Sequence, residues 1–176
     1  GSQVLYPTVG DDWTPNGEAL ERIERALIET GARWSIRLGG IAVLAGTVEE
    51  LNALEKLLPT VQQGRTSYPY RLTFHAAYHT PLMAEASRRG RELLGDLGWR
   101  SPTVSLIDGV GRVYRPGVTA PADIQSYTLG HQVVETYDFT RSLVVGLKSF
   151  APEQLLLLGP GSSLGGAVAQ TLISMG

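Results

Sequence analysis

The sequence contains no cysteine, and that absence removes three kinds of chemistry together: a disulfide framework, a thiolate zinc site and a cysteine nucleophile. It fits a reducing compartment, so a cytoplasmic location is the expectation. A surplus of positive charge is also missing: 15 Lys+Arg stand against 17 Asp+Glu, a formal net charge of −2. No basic face dominates the surface field, which argues against nucleic acid as a partner. Long apolar runs are lacking too. Stretches such as Leu155–Leu158 fall far below the roughly 17 residues of a spanning helix, so no membrane segment is expected. What remains is 176 residues, 43% hydrophobic and 18% charged. This is globular composition for one domain, or one domain and part of a second. With three histidines and no thiol, any catalysis must rest on oxygen and imidazole. An initiator methionine is absent as well. Gly1-Ser2 reads as a vector remnant, and Thr171–Gly176 stops inside a helical pattern, so a piece of a longer protein is expected.

Hydrophobic period organises the first half. Val4–Val9 reads as a strand whose Pro7 points to a sheet edge. Thr14-Pro15 reads as an N-cap with proline at the first helical position, Leu20, Ile23, Ala26 and Leu27 keep helical spacing, and Gly31 stops the helix. Arg33–Leu38 and Ile41–Ala45 flank a Gly39-Gly40 turn as a hairpin. Thr47-Val48-Glu49-Glu50 is a capping box opening a helix with Leu51, Leu54 and Leu57 on one face, ended by Pro59. After a polar loop, Tyr70–Phe74 is a further strand. The order is βαββαβ, the ferredoxin-like unit.

The second half is patterned less clearly. It predicts a helix from Thr80-Pro81 to about Leu97 and strands near Thr103–Ile107 and Arg112–Tyr114. A helix over Ile124–Leu129 follows, then another over Phe139–Phe150 with Leu143, Val144 and Leu147 inward. Gln154–Leu158 reads as a buried strand, and the glycine-rich Gly159–Gly166 leads into a last helix through Val168, Leu172 and Ile173. These strands need sheet partners the chain does not display. The expected class is α/β.

Chemistry concentrates around His79, which precedes Thr80-Pro81 and so projects from a loop between a strand end and a helix start. His75 lies in or beside the strand and reads as structural. A His-x-x-x-His pair points both rings one way only on a helix, and Pro81 starts the helix after them, so no metal site is expected. Gly161-Ser162-Ser163-Leu164-Gly165 fits Gly-x-Ser-x-Gly, the nucleophile elbow, with Ser163 as nucleophile and His79 as base of a serine hydrolase. Against this, Gly159-Pro160 separates the motif from its strand, and the order serine, acid, histidine is violated. The same loop is a poor dinucleotide fingerprint, for its glycine spacing is wrong.

The segment Phe74-His75-Ala76-Ala77-Tyr78-His79-Thr80-Pro81-Leu82-Met83 resembles the histidine motif of the malonyl-CoA:acyl carrier protein transacylases and of polyketide synthase acyltransferase domains. Further blocks match in order: the ferredoxin-like unit before it, Gln132 with Asp138-Phe139-Thr140-Arg141-Ser142, and Leu158-Gly159-Pro160-Gly161 with Leu164 and Gly166. The resemblance implies ping-pong transfer of malonyl from coenzyme A to a serine and on to the phosphopantetheine thiol of acyl carrier protein. By motif position His79 is the general acid/base. In the family a backbone carbonyl orients that imidazole, and the matching residue is Gln132. Ala77-Tyr78 fills the slot that goes with acyl specificity in the polyketide relatives, where a ring crowds an α-methyl group and favours malonyl. Fatty acid or polyketide synthesis is the expected setting, with malonyl-CoA as substrate and acyl carrier protein as partner, and with neither metal nor redox cofactor.

The departures are as informative. In the resembled family the nucleophile serine lies in a Gly-His-Ser-Leu-Gly elbow before the ferredoxin-like unit, as does the arginine that pairs with the malonyl carboxylate. This chain has neither. The expected organisation is therefore a vector remnant at 1–2, a ferredoxin-like subdomain at 3–74, and the C-terminal part of an α/β-hydrolase-like acyltransferase subdomain at 75–176. Alone, the chain should supply the histidine and be inactive. The alternatives are a non-catalytic module that binds carrier protein or acts as scaffold, and third the Ser163 hydrolase. Arg88-Arg89 with Arg91 either meets the acidic carrier or is a solvated helix face.

Overall fold

In β1 (Ser2–Pro7), Val4 and Tyr6 alternate onto one face of the strand and are buried, and Ala42 and Leu44 of β3 (Ile41–Gly46) answer them across an antiparallel ladder. That face is covered by two helices, α1 (Gly17–Thr30) and α2 (Val48–Leu57), through Ile23, Ala26, Leu27, Leu51 and Leu54. This period-2 against period-3.6 match is what makes the core. β2 (Arg33–Leu38) pairs with β3 through the Gly39-Gly40 turn. Gly39 has φ +58°, and a Cβ there would sit 2.5 Å from the Ala167 carbonyl oxygen, so only glycine fits this turn against the last helix. The computed structural model describes residues 1–159, 161 and 163–176. Pro160 and Ser162 of the glycine-rich segment lie outside the described residues.

After α2 the polar loop proves to be a hairpin, β4 (Val61–Gln63) with β5 (Thr66–Tyr68). Next comes β6 (Tyr70–Arg71), antiparallel to β1. The main sheet runs β6-β1-β3-β2-β9, where β9 (Tyr137–Asp138) joins β2 in parallel from the second half of the chain. Two sequence expectations fail here. Pro7 does not mark an edge, because β1 lies between β3 and β6. Thr8 N–H donates to the Gly40 carbonyl, so alternation turns the Pro7 nitrogen away from β3, to the side where pairing with β6 has stopped at Leu5 and Tyr70. The expected strand Tyr70–Phe74 is cut to two residues, since Phe74 adopts φ +57° and stands fully exposed.

Helix ends follow local chemistry with one shift. Thr47 and Glu50 form the expected capping box, and Gly31 caps α1 in the left-handed region. The N-cap of α1, however, is Asn16, whose side chain accepts from the Ala19 amide, while Pro15 is held in an isolated bridge with Val9. Leu57 is exposed, and Leu58 fills the core in its place.

The second half departs further from its pattern. Thr80 to Leu97 divides into a 3-10 turn, Pro81–Met83, and α3 (Ala84–Leu94). The two strands expected after it shrink to a hairpin of β7 (Leu106–Ile107) and β8 (Val113–Tyr114). Asp108 builds its turn by accepting from the amides of Val110 and Arg112 and from the Tyr114 hydroxyl. α4 (Pro121–Ser126) passes through a π-helical turn, Tyr127–His131, into the short α5 (Gln132–Val134). α6 (Phe139–Phe150) is capped by Asp138, and its Leu143, Val144 and Leu147 are half-buried. Gln154–Leu158 is not a strand, and its leucines are exposed, Leu156 at 84%. An apolar strand needs neighbours on its edges and faces, and none stands beside it among the described residues. α7 (Ser163–Met175) packs through Ala167, Val168 and Thr171, leaving Leu172 and Ile173 exposed.

Candidate active site

The segment after β6 crosses the end of the sheet in irregular turns, and each turn is pinned by a side chain. Thr80 is 1% exposed and its hydroxyl donates to the Ala77 carbonyl at 2.6 Å. Pro81 then opens the 3-10 turn. Just ahead of both, His79 takes φ +56°, a backbone state that a residue with a Cβ rarely occupies. Its ring is half-buried, 5.5 Å from the ring of Tyr137 in β9. Burial pushes the Tyr137 phenol up from its ordinary value, so the aromatic neighbour of the imidazole is a neutral phenol.

The acceptor for His79 comes from α5. The π turn and α5 end at Val134, and Glu135 N–H makes the last bond back, to the His131 carbonyl. The Gln132 carbonyl thus belongs to the final turn, whose oxygens lack helical donors. It lies 2.5 Å from His79 Nδ1. A carbonyl only accepts, so Nδ1 carries the proton and Nε2 is left as an unprotonated base. Ser87 of α3 donates to the Leu129 carbonyl at 2.6 Å, which holds the π turn beside this loop. The cleft at His79 is lined by Ile28, Arg33, Trp34, Pro81, Val134 and Thr136 among others.

His79 and Gln132, singled out in the sequence, are therefore in contact, and through the main chain of Gln132. Tyr78 is 44% exposed and sets its ring edge-on to His75, whereas Ala77 is 2% exposed and packed inward. His75 is not beside His79 in function: its Nδ1 lies 2.9 Å from Gln3 Oε1. Among the described residues no group of three or more His, Asp or Glu could hold a metal ion. Ser163 begins α7 and lines a separate cleft with Leu157, Leu158 and Leu164, apart from the one that holds His79. In α3, Arg88 bonds to both Glu85 and Glu92, and the Arg91 guanidinium lies against buried Gly130. Two residues of this region escaped the sequence reading, Gln3 and Ser35. Their polar side chains give no local signal, for Gln3 follows Ser2 at the start of β1 and Ser35 stands between Arg33 and Arg37 in β2.

No family model matches the sequence, and no curated protein matches it. Solved structures do. A malonyl-CoA:acyl carrier protein transacylase of Synechocystis sp. PCC 6803 superimposes with a TM-score of 0.75 at 18% identity, over 99% of this chain and 53% of that one. A malonyl-CoA:acyl carrier protein transacylase of Burkholderia pseudomallei gives 0.75 at 21% identity, over 98% and 56%. A malonyl-transacylase in complex with its type II polyketide synthase acyl carrier protein gives 0.75 at 19%, over 99% and 53%. The chain spans about half the length of the structures it matches. Over nearly its whole length, this chain has the fold of slightly more than half of a malonyl-CoA:acyl carrier protein transacylase.

Proposed function

We propose that this chain is the histidine-bearing portion of a malonyl-CoA:acyl carrier protein transacylase. The observation that carries the reading is the pairing of His79 Nδ1 with the Gln132 main-chain carbonyl, on a fold shared with such enzymes along 99% of the chain. On this reading residues 3–74 are a ferredoxin-like lid, supported by the strand order β6-β1-β3-β2 with two helices on one face. Residues 75–176 are part of the larger hydrolase-like subdomain. The exposed leucines of 155–158 are then a strand whose neighbours belong to the remainder of that subdomain.

The chemistry follows from the tautomer. With Nδ1–H spent on Gln132, His79 Nε2 takes the proton of a serine hydroxyl supplied by the remainder of the enzyme, as the serine oxygen bonds to the malonyl thioester carbon. Collapse of the tetrahedral adduct breaks the carbon–sulfur bond, and the coenzyme A thiolate recovers the proton from the imidazolium. The second half repeats this with the phosphopantetheine thiol of the carrier as nucleophile and the serine as leaving group. Each imidazolium is stabilised by the same carbonyl, which does the orienting work of a triad carboxylate. Tyr78, whose exposed ring stands edge-on to His75, is assigned the limit on the α-substituent from its position in the histidine motif. Ala77, packed inward, gives the loop its close seat.

Two experiments test this. In a polypeptide that also carries the nucleophile, His79→Ala should lower malonyl transfer by a factor of about 10² or more, and retained transfer refutes the assignment. Intact mass of this chain after incubation with malonyl-CoA should show no adduct. A malonyl group on Ser163 overturns the reading in favour of a self-contained serine enzyme.

A further inference from the structure

The left-handed backbone at His79 is held by a buried polar relay that reaches it from β1 and β2. Gln3 of β1 is 2% exposed and Ser35 of β2 is fully buried. Both are satisfied: Gln3 Nε2 lies 2.7 Å from Ser35 Oγ, and Ser35 Oγ lies 2.8 Å from the Tyr78 carbonyl oxygen. The direction of every bond is forced. The Tyr78 carbonyl only accepts, so the serine's one proton goes there. The serine must then accept from the Gln3 amide nitrogen, which turns Gln3 Oε1 to His75, and His75 Nδ1 donates to it at 2.9 Å.

A feature of the sheet puts Ser35 in this position. The β2–β3 register shifts between Trp34, opposite Leu44, and Ile36, opposite Val43. Ser35 is the extra residue of a β-bulge, a device that re-aims a side chain out of the regular pleat. Its hydroxyl grips the carbonyl of the residue just before His79. The 78–79 peptide is the one whose orientation accompanies φ at His79, and Thr80 fixes the other side by its bond to Ala77. Released, a residue with a Cβ relaxes to negative φ, and the imidazole swings away from Gln132.

We infer that Ser35, supported by Gln3, is a positioning residue that holds the His79 loop in its left-handed state and so keeps Nδ1 on the Gln132 carbonyl; the catalytic meaning of this rests on the acyl-transfer reading above. The test is nitrogen-15 NMR of the histidine tautomers in the 176-residue chain, which has only three histidines. The wild type should show neutral His79 as the Nδ1–H form. Ser35→Ala should lower that preference by about tenfold, the scale of one lost hydrogen bond, and Ser35→Thr should restore it. Tyr6→Phe is the control. It removes a hydrogen bond from β1 to the Pro59 carbonyl, lowering stability with no change at His79. If Ser35→Ala does not fold, Ser35→Cys, of nearly the same volume and a poor donor, carries the same expectation. An unchanged His79 tautomer in a folded Ser35 variant overturns the proposal, as does an equal change in Tyr6→Phe. Malonyl transfer, measured separately in a polypeptide with the nucleophile, decides the functional reading: a wild type that does not transfer refutes that reading while leaving the Ser35 to His79 link to the NMR result.

Discussion

On the acyl-transfer reading, replacing Gln132 by alanine should leave both His79 and the transfer reaction intact, although Gln132 supplies the acceptor for the imidazole. The bond is made by the main-chain oxygen, 2.5 Å from Nδ1, and alanine has the same oxygen. The side chain is half-exposed and has no hydrogen-bond partner among the described residues. Its removal therefore costs within about 0.5 kcal/mol, offset by the few tenths that alanine gains over glutamine in a helical turn. The bond itself matters more. A neutral hydrogen bond contributes about 0.5–1.5 kcal/mol and one to a charged group about 1.5–3. Conversion of His79 to the imidazolium thus strengthens it by about 1–1.5 kcal/mol, or roughly tenfold in rate. Gln132→Ala should keep that factor, with kcat/KM within about twofold of wild type, whereas His79→Ala forfeits it with the base. The assay is malonyl transfer to acyl carrier protein by a polypeptide that also carries the nucleophile, alongside the His79 tautomer in this chain. A tenfold loss in Gln132→Ala, or loss of the Nδ1–H form, would refute the main-chain argument and assign the work to the side chain.

Asp108→Ala leaves the amides of Val110 and Arg112 and the Tyr114 hydroxyl without their acceptor. It should cost roughly 3 kcal/mol or more and lower the Tm by about 6–12 °C, while Asp108→Asn, which keeps one acceptor oxygen, should cost clearly less; equal melting of the two sinks the assignment. Burial and then the nearby Asp108 push the Tyr114 phenol up, and burial pushes Tyr127 up to about 12. A raised folded pKa holds its proton more tightly in the native state. The stability it contributes is therefore fully present below the ordinary phenol value near 10 and is lost as pH rises through about 12. Ultraviolet titration should resolve these tyrosines from the rest of the seven, and a single common transition near 10 in the folded protein contradicts this. Tyr78→Ala should raise the methylmalonyl to malonyl ratio of kcat/KM by a factor within the reach of one methyl group, about 1–3 kcal/mol; no change in the ratio removes Tyr78 from the acyl site.

What was legible in the sequence depended on where each residue's partners lie. α2 could be read from Thr47 and Glu50 alone, because a capping box is completed within four residues. The β2–β3 hairpin could be read because Gly39 and Gly40 lie between its two strands. Gln154–Leu158 could not. Four consecutive leucines specify burial but not what buries them, and with no neighbouring strand among the described residues the same residues are exposed loop. β9 was missed for the converse reason. Tyr137–Asp138 is too short to show alternation and becomes a strand only by lying beside β2, a pairing about a hundred residues distant.

The site divides along the same line. His79 was visible because its loop signals are local, a histidine ahead of Thr80-Pro81, and Gln132 was visible only through resemblance, since a carbonyl bears no mark of residue type. Gln3 and Ser35 were invisible. Their roles arise from a one-residue slip between β2 and β3 that no single strand's pattern discloses. Yet the physics that hid them explains their chemistry. A buried glutamine and a buried serine each cost free energy unless their polar atoms are paired, and in this fold Gln3 pairs with Ser35 and His75 while Ser35 pairs with the peptide before His79. Two buried polar residues are thus tolerated by the sheet because they pair with the loop that carries His79.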